Sequence, residues 1–223
     1  GVFGFIFGLL VGPLGFLIGH AIQAKKSKLY MLMSTGLFLL LMTAVQYIIS
    51  ILFLNMNVLK QLITTIEVYY EQLGNIMSSF GQLPEGYDEL VEQSIMLIES
   101  IMPSYFIGGV FISAWLYLII NLSLLKKLKL SVPKFPKFMD FRLPKAVLWY
   151  YLIVSIFSLF VSFDVGTFGY LALVNAALIL RALLFLQGVS LIHYYFYIEG
   201  WPKWSMILAT IFAVPLYTFT IIV

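Results

Sequence analysis

The sequence predicts an all-α protein, a polytopic transmembrane helical bundle of about six spans with an outer amphipathic helical hairpin. Composition is the first observation: 62% of the 223 residues are hydrophobic, 10% are charged and the mean hydropathy is +1.01, a balance outside soluble globular proteins. Distribution is the second. The apolar residues are gathered into six runs, most of them near the roughly 20 residues that a span requires, and none shows the two-residue alternation of a barrel strand. Helices follow, because an isolated strand leaves its backbone polar groups unsatisfied in lipid. One membrane domain, residues 1–223, accounts for the whole chain.

The first span covers about residues 2–23. At 100° per residue Gly4, Gly8, Gly12, Gly15 and Gly19 fall within an arc of about 80°, forming a small-residue groove that admits another helix. That helix belongs either to this chain or to a membrane protein partner. Pro13 is placed to kink the span. The second span, about 29–54, follows a turn holding Lys25, Lys26 and Lys28.

Between Asn55 and Ile101 there is one lysine, Lys60, against Glu67, Glu71, Glu85, Asp88, Glu89, Glu92 and Glu99. Apolar residues recur there at three- and four-residue steps, from Leu59 through Ile63, Ile66, Tyr70 and Leu73 to Met77, which marks an amphipathic helix. Residues 81–86 read as a turn, and a second amphipathic helix starts at Asp88. The pair predicts a helical hairpin over 57–101, lying on the outer face or over the mouth of the bundle.

The third span, about 102–125, leads into a basic loop over 126–145. Lys126, Lys127, Lys129, Lys134, Lys137, Arg142 and Lys145 outweigh Asp140 there, and Pro133, Pro136 and Pro144 disfavour a regular helix. Its lysines and aromatics suit an anionic leaflet or a cytoplasmic protein. Basic residues collect in cytoplasmic loops, so loop 126–145 is expected in the cytoplasm and loop 55–101 outside. The lipid bilayer thus explains the positive charge, with no nucleic acid required. Spans follow at about 146–163, 168–192 and 204–223, and Trp149, Tyr150, Tyr194, Tyr197, Trp201 and Trp204 supply interfacial aromatic belts.

The fifth span carries the polar chemistry. With Asn175 set at zero, His193 returns to the same angle, Ser190 lies near 60°, Gln187 near 120° and Arg181 near 240°. Arg181 lies near the middle of the apolar run Phe168–Ile192, where a guanidinium costs roughly 2.5 to 3.5 kcal/mol and calls for a partner or a wet cavity. No Asp or Glu occurs at mid-depth in any span. Backbone carbonyls and hydroxyls such as Ser155 or Ser158, a carboxylate elsewhere in a longer protein, water, or an anionic ligand all remain as partners. The binding reading gives Arg181 the charge of a small anionic solute, with Asn175, Gln187 and Ser190 as hydrogen-bonding groups. The alternative is a scaffold that recruits partners through its glycine face, basic loop and hairpin.

Catalysis is not expected. The sequence has no cysteine, no His-Glu-x-x-His, no paired membrane aspartates, no Gly-x-Ser-x-Gly and no phosphate-binding glycine loop. His20 and His193, without nearby acids, make a poor metal pair, and no cofactor or metal is expected. The start at Gly1, without an initiator Met or a signal-peptide pattern, suggests a piece of a longer protein.

At Phe141-Arg142-Leu143-Pro144-Lys145, Leu148-Trp149-Tyr150-Tyr151, Asn175 and Gln187-Gly188-Val189-Ser190, the chain resembles the YybS-like family of uncharacterised bacterial membrane proteins. The resemblance runs the whole length. It implies a cell-membrane location and further spans before Gly1. The family is grouped by fold with the substrate-binding S components of energy-coupling-factor vitamin transporters, so the resemblance implies a related helical fold rather than a reaction.

Overall fold

The computed structural model describes residues 2–130, 132 and 137–222, with side chains from residue 12 onward. Pro133, Lys134, Phe135 and Pro136 of the basic loop lie outside the described residues, as do the surroundings of Gly4 and Gly8. The chain is an all-α membrane protein and forms two compact units, Gly1–Lys134 and Phe135–Val223. Each can be built from its own sequence.

The first unit opens with α1 (Val2–Gln23) and α2 (Lys28–Leu54), joined by a short turn in which the Ser27 hydroxyl caps α2 by accepting the Tyr30 amide N–H at 3.1 Å. Helix α3 (Val58–Ser79) is capped in the same way by Asn57, whose Oδ1 accepts from the Lys60 amide at 2.9 Å and from the Tyr47 hydroxyl of α2 at 3.2 Å. A turn through Gly81 and Gly86, both at positive φ, leads to α4 (Tyr87–Lys127). The Tyr87 hydroxyl donates to the Tyr70 carbonyl at 2.8 Å, and its ring lies where Gly74 leaves room. This latch fixes α3 against the start of α4.

Helix α4 differs from the expected pair of elements. The second hairpin helix and the third span are one helix of 41 residues that continues through Pro103. At 1.5 Å per residue it is about 60 Å long, about twice the thickness of the hydrocarbon core. Membrane helices tolerate an internal proline where neighbouring groups re-satisfy the freed backbone. The change to polar composition near Glu99 therefore marks where α4 leaves the apolar run, without ending the helix.

The core of this unit lies at its lysine-bearing end. Ile18 and Ala21 of α1, Met31 of α2, and Leu118 and Leu122 of α4 form one buried cluster. Phe111 lies over Gly36 so closely that an added Cβ would stand 2.7 Å from Cδ1 of the ring. This explains how α2 and α4 approach despite bulky side chains elsewhere.

The second unit contains α5 (Lys145–Phe160), α6 (Phe168–Ile198), α7 (Lys203–Ala213) and α8 (Tyr217–Ile222), with a 3-10 turn at Phe138–Asp140 before them. Helix α6 starts at a Thr167 cap and ends in a Schellman motif with Gly200 at φ 70°. The last expected span is two helices, interrupted at residues 214–216, where Pro215 has no N–H to continue the ladder.

Among the described residues α2, α4 and α6 are each long and apolar enough to cross a membrane, while α5 and α7 are shorter apolar helices of 16 and 11 residues. Leu159, Phe160 and Phe168 are more than 80% exposed. Large apolar side chains displayed in this way suit a lipid solvent, where exposure carries no hydrophobic penalty.

Candidate functional site

Helix α6 organises its unit, since α5, α7, α8 and the 3-10 turn all pack on it. Its 31 residues run about 46 Å, longer than the bilayer core, and its polar side chains divide between two faces.

The first face holds an irregular segment of backbone. Gln187 Oε1 accepts the Leu143 amide N–H at 2.6 Å, and the Ser190 hydroxyl hydrogen lies between the carbonyl oxygens of Phe138, at 2.7 Å, and Phe141, at 3.0 Å. Residues 138–140 form a single 3-10 turn and residues 141–143 are non-helical, so most of their polar groups lack the ladder of a regular helix and need other partners near the membrane. The Phe138 ring meets the His193 ring edge-on at 5.4 Å, and Lys137 Nζ lies 4.7 Å from the centre of the Tyr197 ring. The segment thus runs antiparallel to the last three turns of α6.

His193 also reaches α7. Its Nε2 lies 2.7 Å from Thr210 Oγ1, which in turn lies 2.9 Å from the Met206 carbonyl oxygen. Which of the ring nitrogen and the hydroxyl donates follows the imidazole tautomer. The histidine is engaged as a tether between two helices.

The second face carries Gly188 and Arg181, which lie seven residues apart and within about 20° of each other. At Gly188 the α8 backbone comes so close that a Cβ would collide with the Thr220 carbonyl oxygen. Arg181 stands two turns further toward the start of α6, about 10 Å along the axis. It is exposed, and it makes no hydrogen bond or ion pair with the described residues. Non-helical backbone begins at the level of Gln187, six residues or about 9 Å from Arg181. Long side chains on a helix lean toward its N-terminus, which directs this guanidinium away from that polar segment.

The four residues expected to share a site are therefore separated. Gln187 and Ser190 come together on residues 138–143, Asn175 donates its side-chain amide to the Leu171 carbonyl at 2.8 Å, and Arg181 projects from the face opposite Ser190. Of the glycine face, Gly12, Gly15 and Gly19 have nothing among the described residues within 4 Å of where a Cβ would stand.

Two features escaped the sequence reading. Thr35, fully buried in α2, has no hydrogen-bond partner for its hydroxyl among the described residues. A cleft of about 440 Å³ opens between α3 and α4, with Tyr70 and Tyr87 in its walls and Glu67, Glu71, Asp88 and Glu92 around them. The amphipathic pattern of both helices was readable, but not the gap left by their packing.

A family model described as Predicted membrane protein (DUF2232) matches residues 2–223. The chain is 26% identical over 215 residues to the Uncharacterized protein YybS of Bacillus subtilis (strain 168), which covers 93% of this chain and 67% of that protein. No solved structure matches the chain.

Proposed function

For a chain that belongs to the DUF2232 family of predicted membrane proteins and is YybS-like, we propose a non-catalytic role in the bacterial cell membrane: a binding or transport subunit for a small anionic solute. The observation that supports this reading is Arg181, an exposed guanidinium within a long apolar helix, without a partner among the described residues. Placing it in the bilayer costs about 2.5 to 3.5 kcal/mol on insertion scales. An anion about 4 Å away returns about 4 kcal/mol at an effective dielectric constant of 20, enough to offset that cost. A neutral ligand supplies no such term. Gln187 and Ser190 are engaged by residues 138–143 on another face of α6, so charge at Arg181 is the primary determinant. With loop 126–145 in the cytoplasm and loop 55–101 outside, Arg181 faces solute from within the membrane.

The experiment is mass spectrometry of small molecules retained by the full-length protein in mild detergent, beside Arg181→Leu and Arg181→Lys. Wild type should retain a defined anion that the leucine variant loses and the lysine variant holds in part, because lysine keeps the charge without the planar fork. A folded leucine variant holding the same anion would sink the role of Arg181.

A second reading, a scaffold, is favoured by the open face at Gly12, Gly15 and Gly19. Small residues with free space admit a helix of another membrane protein at short distance. Gly12→Leu with Gly15→Leu should then strip a co-purifying protein, and unchanged pull-downs count against it.

A further inference from the structure

The first unit gathers charge at one end. Packing of Ile18, Ala21 and Met31 against Leu118 and Leu122 brings the α1–α2 turn beside the end of α4. The helix ends that bear Lys25, Lys26 and Lys28 and Lys126, Lys127 and Lys129 thereby lie at the same end of the unit, and Lys28 lies close enough to Lys126 for their like charges to repel. The sequence has no Asp or Glu from residue 1 to 66 or from 100 to 139, so the strands of sequence that build this end contribute no acid. Sorting of positive charge to one side of a membrane explains six lysines. It does not require that Lys28 and Lys126 lie close enough to repel each other.

The backbone adds an independent observation. Four helices end in the same Schellman pattern, with bonds of the type Lys26 N–H to Ala21 O and Lys25 N–H to Ile22 O. At the ends of α3 and α6 the left-handed residue is Gly81 or Gly200; at the ends of α1 and α4 it is Lys25 (φ 50°) or Lys129 (φ 62°). Glycine is the residue that this position favours. Lysine occupies it at both helix ends of the basic cluster, a local strain carried by two of the six cations. Around them Leu29, Tyr30, Leu128 and Leu130 are about half exposed or more, an apolar collar of the kind that enters an interface.

From this convergence of Lys25, Lys26, Lys28, Lys126, Lys127 and Lys129 within an apolar collar, we propose that this end of the first unit is a binding site for the headgroup of an anionic phospholipid. The phosphodiester relieves the mutual repulsion of the lysines, and the acyl chains lie along the exposed apolar surface of the helices. The occupant is a lipid because the collar places the charges at the level where headgroups sit. This site is independent of Arg181.

The test is native mass spectrometry of the full-length protein released from bilayers holding equal amounts of phosphatidylglycerol and phosphatidylcholine. Wild type should retain phosphatidylglycerol in preference. Lys25→Gly with Lys129→Gly removes two charges and both strained residues, so the fold is maintained or strengthened while the preference falls about tenfold or more. Lys126→Arg with Lys127→Arg, which keeps the charge, should retain the preference. A glycine variant with wild-type preference overturns the proposal. So does loss of an acidic protein partner from that variant with the lipid preference unchanged.

Discussion

Gln187 Oε1 accepts the amide N–H of Leu143 at 2.6 Å across 44 residues of sequence. Replacing Gln187 with leucine leaves a peptide N–H unsatisfied beside the membrane, which costs about 1 to 3 kcal/mol. Ser190→Ala should cost less, about 1 kcal/mol, because the two carbonyls it serves each keep a second lone pair and tolerate loss better than an N–H does. Denaturation in mild detergent measures both, and faster hydrogen exchange at Leu143 in the Gln187 variant locates the loss. Unchanged exchange there would mean that the segment is held by other contacts.

The grouping of Gln187, Ser190 and His193 was legible because the α-helical period fixes angles from sequence alone. Their partners were not, since residues 138–143 are distant in the chain and carry no periodic pattern that points to α6. The same limit explains α4: hydropathy records the change near Glu99, whereas helix continuity through Pro103 depends on neighbours that composition does not show. For the last run, 204–223, apolar composition persisted across Pro215 while the helix did not. Arg181 stood out as a charge in an apolar run, and its separation from Ser190 followed from the spacing of nine residues, about half a turn net.

Two glycines should respond in opposite directions. Gly188→Ala drives a methyl group into the Thr220 carbonyl and should cost about 1 to 3 kcal/mol, the usual effect of overpacking. Gly12→Ala meets nothing among the described residues within 4 Å and should gain up to about 1 kcal/mol from helix propensity. Thermal unfolding of the two variants in the same detergent checks the pair. A stable Gly188→Ala would show that α8 moves away from α6 at little cost.

Arg181→Leu should not destabilise the isolated protein. The side chain has no partner among the described residues to lose, and removing its charge relieves an insertion cost of about 2.5 to 3.5 kcal/mol, so membrane insertion should improve. Insertion assays and unfolding in detergent without added solute read this directly. Loss of stability on that substitution would reveal a structural partner for the guanidinium and weaken the solute-binding reading.

Thr35 gives the converse case of a polar group that the fold buries without using. Membrane-helix threonines commonly donate to the carbonyl four residues back, as Thr43 does to Leu39 at 2.6 Å, but the Thr35 hydroxyl has no partner among the described residues. Thr35→Val keeps the branched shape and removes the oxygen, so neither a cavity nor a lost bond opposes the change. The variant should be more stable by about 1 to 3 kcal/mol, the cost of an unsatisfied buried polar group. Thermal unfolding beside Thr43→Val separates this from a general effect of valine, because Thr43 loses a bond and should show no comparable gain. If Thr35→Val instead lowers stability, the hydroxyl is engaged by a bound water or a group from outside the chain, and the packing of α2 on α4 encloses a polar contact.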